Sequence, residues 1–256
     1  MLGSSLPVLL YHHVGPPRPA TLPWNTVSRE RFRMQLAWLQ RHGYRSLHIE
    51  QAVAWATGAG ALPARSVLIT FDDGYADLAE TAFPLLVEAG QTATVFLVTG
   101  RLGEHNAWDD EIAAGGHRLL DAGAVRDWSR RGIDFGAHTR THRRLDALRD
   151  DELDDEIAGS RDDVETLTGQ PPQAFAYPYG VVDERARHAV AAAGFAIAFA
   201  GAEGRNARDT DPLLLRRTMV FETDSAADLA LRVRLGRSPL QLARTRLGEL
   251  RRRRRS

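Results

Sequence analysis

Two adjacent carboxylates, Asp72 and Asp73, end an apolar run that predicts a β-strand at residues 66–71. Gly74 follows them and allows the chain to turn sharply. In a parallel βα architecture, polar side chains at the carboxyl ends of strands are the ones that do chemistry. An isolated Asp-Asp-Gly is nevertheless most often a solvated turn. The pair therefore needs a second group of residues to support a functional interpretation.

Two histidines, His138 and His142, supply that second group, directly after the apolar run at 133–137. Four residues apart on a helical turn, their imidazoles would project on the same side, so that their nitrogens could meet at one metal ion. The spacing alone does not exclude a surface pair of histidines. The two groups together carry more weight than either does alone.

One carboxylate and two imidazoles form a three-ligand site that leaves coordination positions open for water and substrate, which is typical of catalytic metals. If one aspartate is a ligand, its neighbour projects differently and can accept a proton from the activated water. Adjacency does not tell which of Asp72 and Asp73 takes which role. The expected cofactor is one divalent ion, zinc, with cobalt or nickel as alternatives.

Composition excludes several other kinds of protein. The 256 residues are 43% hydrophobic and 26% charged, which is typical of a globular chain. Thirty-three basic and thirty-three acidic residues cancel, so no nucleic-acid partner is expected. The absence of cysteine excludes disulfides, thiolate ligands and a cysteine nucleophile. The C-terminal segment 251–256, five arginines followed by a serine, is expected to form a disordered tail.

The N-terminal residues 1–14 lack the basic region of a signal peptide. No apolar run reaches the ~20 residues that a membrane-spanning helix requires. A cytoplasmic location and no transmembrane contact are therefore expected.

Short β-rich runs alternate with segments of helical period, which predicts a parallel βα architecture in a single domain at residues 1–250. Seven or eight such units without a glycine-rich dinucleotide turn favour a barrel over an open nucleotide-binding sheet. Ser28 is a predicted helix cap, and glycines 43, 90, 169 and 194 follow helical patterns. The predicted strands are residues 7–11, 44–47, 66–71, 94–98, 133–137, 174–177, 195–200 and 214–220.

Three ordered motifs resemble those of the polysaccharide deacetylases, the family-four carbohydrate esterases. They are Thr-Phe-Asp-Asp-Gly (70–74), His-Thr-Arg-Thr-His (138–142) and Phe-Ala-Tyr-Pro-Tyr-Gly (175–180), and the resemblance runs through most of the chain. The opening Pro-Val-Leu-Leu-Tyr-His-His-Val (7–14) is similar to the subgroup that includes exopolysaccharide poly-N-acetylglucosamine deacetylases, in which the barrel is circularly permuted. The resemblance implies an α/β fold, a distorted (β/α) barrel of seven or eight units, that removes N-acetyl groups from a sugar or polysaccharide.

The resemblance assigns roles to the four residues found first. Asp72 is the implied catalytic base and Asp73 the first metal ligand, while His138 and His142 are the other two ligands. The implied partner is an N-acetylated carbohydrate, without a choice among polymers. A deacylase of a non-polymeric amide or of an O-acetyl ester on the same scaffold is the alternative.

The third motif implies an oxyanion site. The backbone N–H of Tyr179 would stabilise the tetrahedral oxyanion, and Pro178 would shape its loop. Many family members carry an arginine at the position of Ala176, where it supports the base. Its absence here leaves the support of Asp72 open, with Arg216 or Arg217 as replacements.

A general acid is also missing from its usual place, because many members take a histidine from a late strand and no histidine follows His188 here. In the permuted subgroup the acid comes from the opening Tyr-His, which matches Tyr11 and His12. A satisfied core or surface histidine is the other interpretation of His12. His13 is expected to point the opposite way, since side chains alternate along a strand.

Trp108 lies in a polar segment and could either stack on a sugar face or pack a loop against the barrel. Two other classes of protein remain as alternatives. Iron oxygenases also use two histidines and one carboxylate, but in a different order along the chain. A non-catalytic carbohydrate-binding barrel would have no need of Asp72 beside a complete set of ligands.

Overall fold

The structure is a computed structural model that describes residues 5–16, 25–106, 108 and 116–240. Twelve strands and eight α-helices lie in these ranges. The strands are β1 (Ser5–Leu6), β2 (Val8–Tyr11), β3 (His13–Val14), β4 (Thr26–Val27), β5 (Arg45–Ser46), β6 (Ser66–Phe71), β7 (Thr94–Leu97), β8 (Asp134–Ala137), β9 (Ala174–Ala176), β10 (Ile197–Phe199), β11 (Asn206–Ala207) and β12 (Thr218–Met219). The helices are α1 (Arg29–Arg41), α2 (Ile49–Ala56), α3 (Asp77–Glu80), α4 (Ala82–Glu88), α5 (Ala122–Arg130), α6 (Asp150–Thr168), α7 (Glu184–Ala192) and α8 (Ala226–Leu235).

Eight parallel strands form the central sheet in the order β10-β9-β8-β7-β6-β2-β12, with β5 paired to β6. The first strand, β2, lies between β6 and the last strand, β12. Leu215, three residues before β12, pairs with Phe199 of β10. The segment from Leu215 through β12 therefore joins the two edges of the sheet, which curls into the predicted barrel.

Two apolar clusters fill the molecule on opposite faces of the strands. Leu9, Ile69 and Val95 belong to the cluster that also contains the apolar faces of α1, α4 and α5. Their immediate neighbours Leu68 and Phe96 belong to the second cluster, which includes Trp55 of α2 and fills the barrel. Because side chains alternate along a strand, this arrangement determines whether the side chain that follows each strand points into or out of the barrel.

Most of the sequence predictions of secondary structure are confirmed. Each of the eight predicted strands overlaps a strand of the central sheet, and residues 66–71 match β6 at both ends. Ser28 caps α1 by accepting a hydrogen bond from the Arg31 N–H. The four predicted glycines all have positive φ, between 60° and 86°. The two-residue strands β1, β3, β4 and β11 were not predicted, because two residues carry no alternation.

The basic segment 251–256 lies outside the described residues. Within the described ranges, no helix combines the length and the apolar composition that crossing a bilayer would demand.

Candidate functional site

A cavity of about 370 Å³ opens at the carboxyl ends of the strands. Asp72 and Asp73 enter it after β6, and His138 after β8. His12 enters it after β2, and Arg217 enters it directly before β12. The remaining lining residues are Leu10, Asn25, Trp108, His142, Tyr179, Gly180, Ala200, Gly201, Glu203 and Met219.

Asp73, His138 and His142 meet at one point in this cavity. Each offers one ligand atom, and these three atoms lie within 4.8 Å of one another. The Oδ1 atom of Asp73 is 3.5 Å from Nε2 of His138 and 3.4 Å from Nε2 of His142. All three residues are buried. The structure therefore brings together the three residues that were predicted from the sequence to bind a metal.

The protonation of His138 fits a bound cation. Its Nδ1 lies 2.7 Å from the carbonyl oxygen of Ala176, and because a carbonyl only accepts, Nδ1 carries the proton. Burial is the main influence that lowers the pKa of His138. A neutral ring protonated on Nδ1 turns the lone pair of Nε2 toward the oxygen of Asp73. Two lone-pair atoms facing each other suit a shared cation, and the backbone bond fixes the ring as in other histidine metal sites.

The prediction that the two histidines lie on a helical turn is wrong. Residues 138–142 form an irregular loop in which Thr139 (φ 65°) and His142 (φ 62°) are left-handed. The hydroxyl of Thr139 accepts a hydrogen bond of 2.9 Å from the His142 N–H. These two left-handed residues, rather than a helical repeat, bring the imidazoles together with ring centroids 4.9 Å apart.

Arg217 holds Asp72 through a two-pronged hydrogen bond. Its Nη1 and Nη2 donate to the two carboxylate oxygens at 2.5 and 2.7 Å. Burial raises the pKa of Asp72, but the charges of Arg217 and His138 and the Arg217 hydrogen bonds outweigh it and bring the pKa to about 2. Of the two arginines suggested by the sequence, Arg217 makes this contact and Arg216 is exposed. Ala176, at the position where family members carry an arginine, contributes its carbonyl to His138 instead.

His12 and His13 point in opposite directions, as the alternation of a strand predicts. His12 lines the cavity. Desolvation lowers its pKa to about 4, although the negative charge of Asp72 acts in the opposite direction. His13 is buried away from the cavity, where its Nδ1 lies 2.9 Å from Asp77 and its ring stacks on Tyr75 at 3.6 Å.

Two aromatic side chains contact the ring of His142. The ring centroids of Trp108 and Tyr179 each lie 4.6 Å from that of His142. Tyr179 is 49% exposed and has a φ of 58°, in the short turn that begins at the buried Pro178. Non-glycine residues in the left-handed region often cluster at functional sites. Of the five in the described chain, only Arg65 lies elsewhere; the other four are Asp73, Thr139, His142 and Tyr179.

Helix α6 contributes to the site in a way that the sequence did not reveal. Most of its acidic residues are exposed, but Glu156 is only 4% exposed. It accepts hydrogen bonds from the backbone N–H groups of Arg140 and Thr141, at 2.8 and 2.9 Å. A lone glutamate among many acidic residues carries no signal of such a contact. Asn25 and Glu203 also line the cavity and were not predicted, because neither belongs to a motif of the sequence.

Comparison with known proteins connects this geometry to a family. The family model for polysaccharide deacetylases matches residues 59–198. YxkH of Bacillus subtilis is 26% identical over 217 residues, which cover 85% of this chain and 72% of that protein. A poly-beta-1,6-N-acetyl-D-glucosamine N-deacetylase of Staphylococcus epidermidis is 27% identical over 211 residues, covering 77% of this chain and 70% of that protein.

Solved structures share the fold at lower identity. The Streptococcus pyogenes deacetylase PplD, in complex with acetate, superposes with a TM-score of 0.80 at 22% identity, covering 91% of this chain and 99% of its own. IcaB from Ammonifex degensii superposes with a TM-score of 0.77 at 24% identity, covering 91% and 98%. The match of the family model spans more than half of the 256 residues. The chain therefore belongs to the polysaccharide deacetylase family, a family of hydrolases.

Proposed function

We propose that this chain is a metal-dependent carbohydrate N-deacetylase in which Asp73, His138 and His142 hold one divalent cation. The observation that carries the proposal is the meeting of these three ligand atoms within 4.8 Å of one another, beside the paired carboxylate of Asp72. Zinc suits two imidazoles and one carboxylate with coordination positions left open. Cobalt and nickel are the alternatives.

Asp72 acts as the general base. A cation held by the three ligands supplies a Lewis acid, which polarises the acetamide carbonyl and makes water more acidic. The pKa of Asp72, about 2, keeps its carboxylate ionised at neutral pH and ready to accept the proton of the attacking water. Arg217 occupies one lone pair on each carboxylate oxygen, and each oxygen has a second lone pair for that proton.

His12 acts as the general acid, because an amide nitrogen cannot leave without a proton. With a pKa of about 4, His12 is neutral at rest and must first gain a proton. The pKa of Asp72 is lower, so a proton taken up by Asp72 moves downhill to His12. Each group also shifts the pKa of the other by its charge. The imidazolium formed in this way is a strong acid, suited to protonate the departing nitrogen.

Two aromatic residues and the turn of the third motif, residues 178–180, bind the substrate. Trp108 and Tyr179, which both contact His142, offer apolar faces on which a sugar ring can stack. The backbone N–H of Tyr179 stabilises the oxyanion of the tetrahedral intermediate, and the buried Pro178 shapes the turn that presents it. The name of the Staphylococcus epidermidis relative supports an N-acetylated amino-sugar polymer as the substrate.

The metal assignment is tested by metal content. Purified protein should contain about one divalent ion per chain. The Asp73→Ala, His138→Ala, His142→Ala triple variant should contain none, while the single exposed variant Asp154→Asn keeps the ion. Stoichiometric metal in the triple variant would show that the ion is bound elsewhere.

The reaction is tested by acetate release from N-acetylated oligosaccharides in the presence of zinc, cobalt or nickel. Matched O-acetylated sugars provide the comparison, because only the amides require protonation of a nitrogen. Release from the esters alone would contradict N-deacetylation.

A further inference from the structure

The loop that carries the two histidines, residues 138–142, adopts a conformation that its sequence does not favour. Thr139 and His142 both occupy the left-handed region, at φ 65° and 62°. Residues other than glycine rarely adopt this region unless surrounding contacts impose it. One hydrogen bond within the loop, from the His142 N–H to the Thr139 hydroxyl, supports this conformation, and the other hydrogen bonds to its backbone come from neighbouring segments.

Glu156 of α6 provides three of these hydrogen bonds. Its Oε2 accepts from the backbone N–H groups of Arg140 and Thr141 at 2.8 and 2.9 Å, and its Oε1 accepts from the Thr141 hydroxyl. Residues 140 and 141 lie between the two histidines in sequence. Fixing these two peptide groups therefore fixes the direction of His142 relative to His138.

The same helix holds the loop at a second point. Asp163, two turns beyond Glu156, accepts from Nε of Arg140 at 3.0 Å and from the hydroxyl of Thr99 at 2.7 Å. The backbone of Thr99 donates to the carbonyl of Thr139 at 3.1 Å. The loop thus lies between α6 and residues 99–101. Of the two acids, Glu156 is the one that accepts from the backbone of the loop, and it is the more deeply buried.

We propose that Glu156 is a positioning residue that sets the metal affinity of the site by holding the loop 139–142, in which Thr139 and His142 are left-handed, in place before metal binds. The inference rests on the proposed function, because it takes Asp73, His138 and His142 as the ligands. Glu156 contacts the loop and not the three ligand atoms. Outer contacts of this kind typically change metal affinity by about 10- to 100-fold.

The experiment compares two conservative variants of the full chain, Glu156→Asp and Glu156→Gln. Aspartate keeps the charge but is one methylene too short to reach both N–H groups. Glutamine keeps the length, so that its oxygen can still accept from both N–H groups, but it loses the charge. Asp154→Asn is the matched control, because Asp154 is exposed on the same helix and has no side-chain hydrogen bond to the residues that the structure describes.

Zinc affinity of the metal-free proteins is measured by competition with a chelator, and amide hydrogen exchange is measured at Arg140 and Thr141. Positioning predicts a loss of affinity of about 10- to 100-fold in Glu156→Asp, a smaller loss in Glu156→Gln and none in Asp154→Asn. In the metal-free proteins, the rate of hydrogen exchange at the two amides should rise most in Glu156→Asp, less in Glu156→Gln and not at all in Asp154→Asn. A purely electrostatic role predicts that the glutamine variant is worse, and that order would overturn the inference.

Unchanged affinity and unchanged exchange in Glu156→Asp would also overturn it. If the unmodified protein binds no zinc, the proposed function fails, and amide exchange in the metal-free proteins still decides whether Glu156 holds the loop. A merely structural role would lower the melting temperature of Glu156→Asp without changing the zinc affinity of the folded protein.

Discussion

Arg217 donates one hydrogen bond to each carboxylate oxygen of Asp72, at 2.5 and 2.7 Å, although 145 residues separate the two in sequence. Both side chains are buried, and the guanidinium lies 5.7 and 5.6 Å from the ring centroids of Phe96 and Phe199 in the barrel interior. A two-pronged pair of this kind fixes the orientation of the carboxylate as well as its charge. Arg217 therefore provides the support for Asp72 that the sequence left open.

Arg217→Met should shift the acidic limb of the activity profile to higher pH. Removing the guanidinium leaves burial as the main influence on Asp72, which raises its pKa above the present value of about 2. The measurement is kcat/KM for acetate release as a function of pH, with Arg216→Met as the control because Arg216 is exposed. If the acidic limb does not move, it does not arise from the protonation of Asp72.

Asp72→Asn should keep its metal and lose turnover by roughly 10²- to 10⁴-fold, the usual contribution of a positioned base. The amide cannot accept the proton of water, while the three metal ligands are unchanged. Metal content and kcat are measured on the same preparation. Turnover near that of the unmodified protein would place the base elsewhere.

The ionised Asp72 should also contribute to folding stability in a pH-dependent way. Its pKa is lowered from 3.8 when unfolded to about 2 when folded, which corresponds to stability on the order of 2 kcal/mol at neutral pH. A depressed carboxyl pKa stabilises the fold above the unfolded pKa, and this contribution is lost as the pH falls toward the folded pKa. In chelator, the difference in unfolding free energy between the unmodified protein and Asp72→Asn should therefore shrink by roughly 1 kcal/mol between neutral pH and about pH 3. A difference that stays constant over this range would contradict the depressed pKa.

His12→Ala should keep its metal and fold but lose kcat on amides by roughly 10²- to 10⁴-fold. The loss of kcat should be smaller on an O-acetyl ester, because an alkoxide leaves more readily than an amine anion. The experiment compares kcat on matched N-acetylated and O-acetylated sugars. Equal defects on both substrates would remove His12 from the role of acid.

The sequence predicted the strands of the barrel because each is a short apolar run that ends at a polar residue or a turn. It also predicted that one of the two adjacent aspartates would meet His138 and His142, since these residues follow parallel strands whose carboxyl ends share one rim. The family resemblance, and not the strand pattern, chose Asp73 over Asp72. The sequence prediction was wrong about the local conformation of the histidine loop. A helical turn and a loop with two left-handed residues can both bring the two imidazoles together. Only the contacts of the backbone decide which of these two conformations forms.

The contacts that hold the site in place were the hardest to predict. Glu156 belongs to a helix with many acidic residues, most of which face solvent, and nothing in its neighbours distinguishes it from them. The sequence suggested Arg216 or Arg217 as the partner of Asp72 but could not decide between them. The decision depends on which of the two side chains points into the barrel where β12 pairs with β2. Such contacts join distant segments, so they depend on the complete topology rather than on local pattern.

The pairing of β12 with β2, at Thr218 opposite Leu9, has a consequence for the synthesis of the protein. Arg217 leaves the ribosome 145 residues after Asp72, which corresponds to roughly 7 to 30 s at typical elongation rates. During that time the nascent barrel has an open edge, and the carboxylate of Asp72 has no arginine to neutralise it. Contacts of such long sequence separation also slow folding after release. The hydrolytic centre is therefore among the last parts of the molecule to become complete.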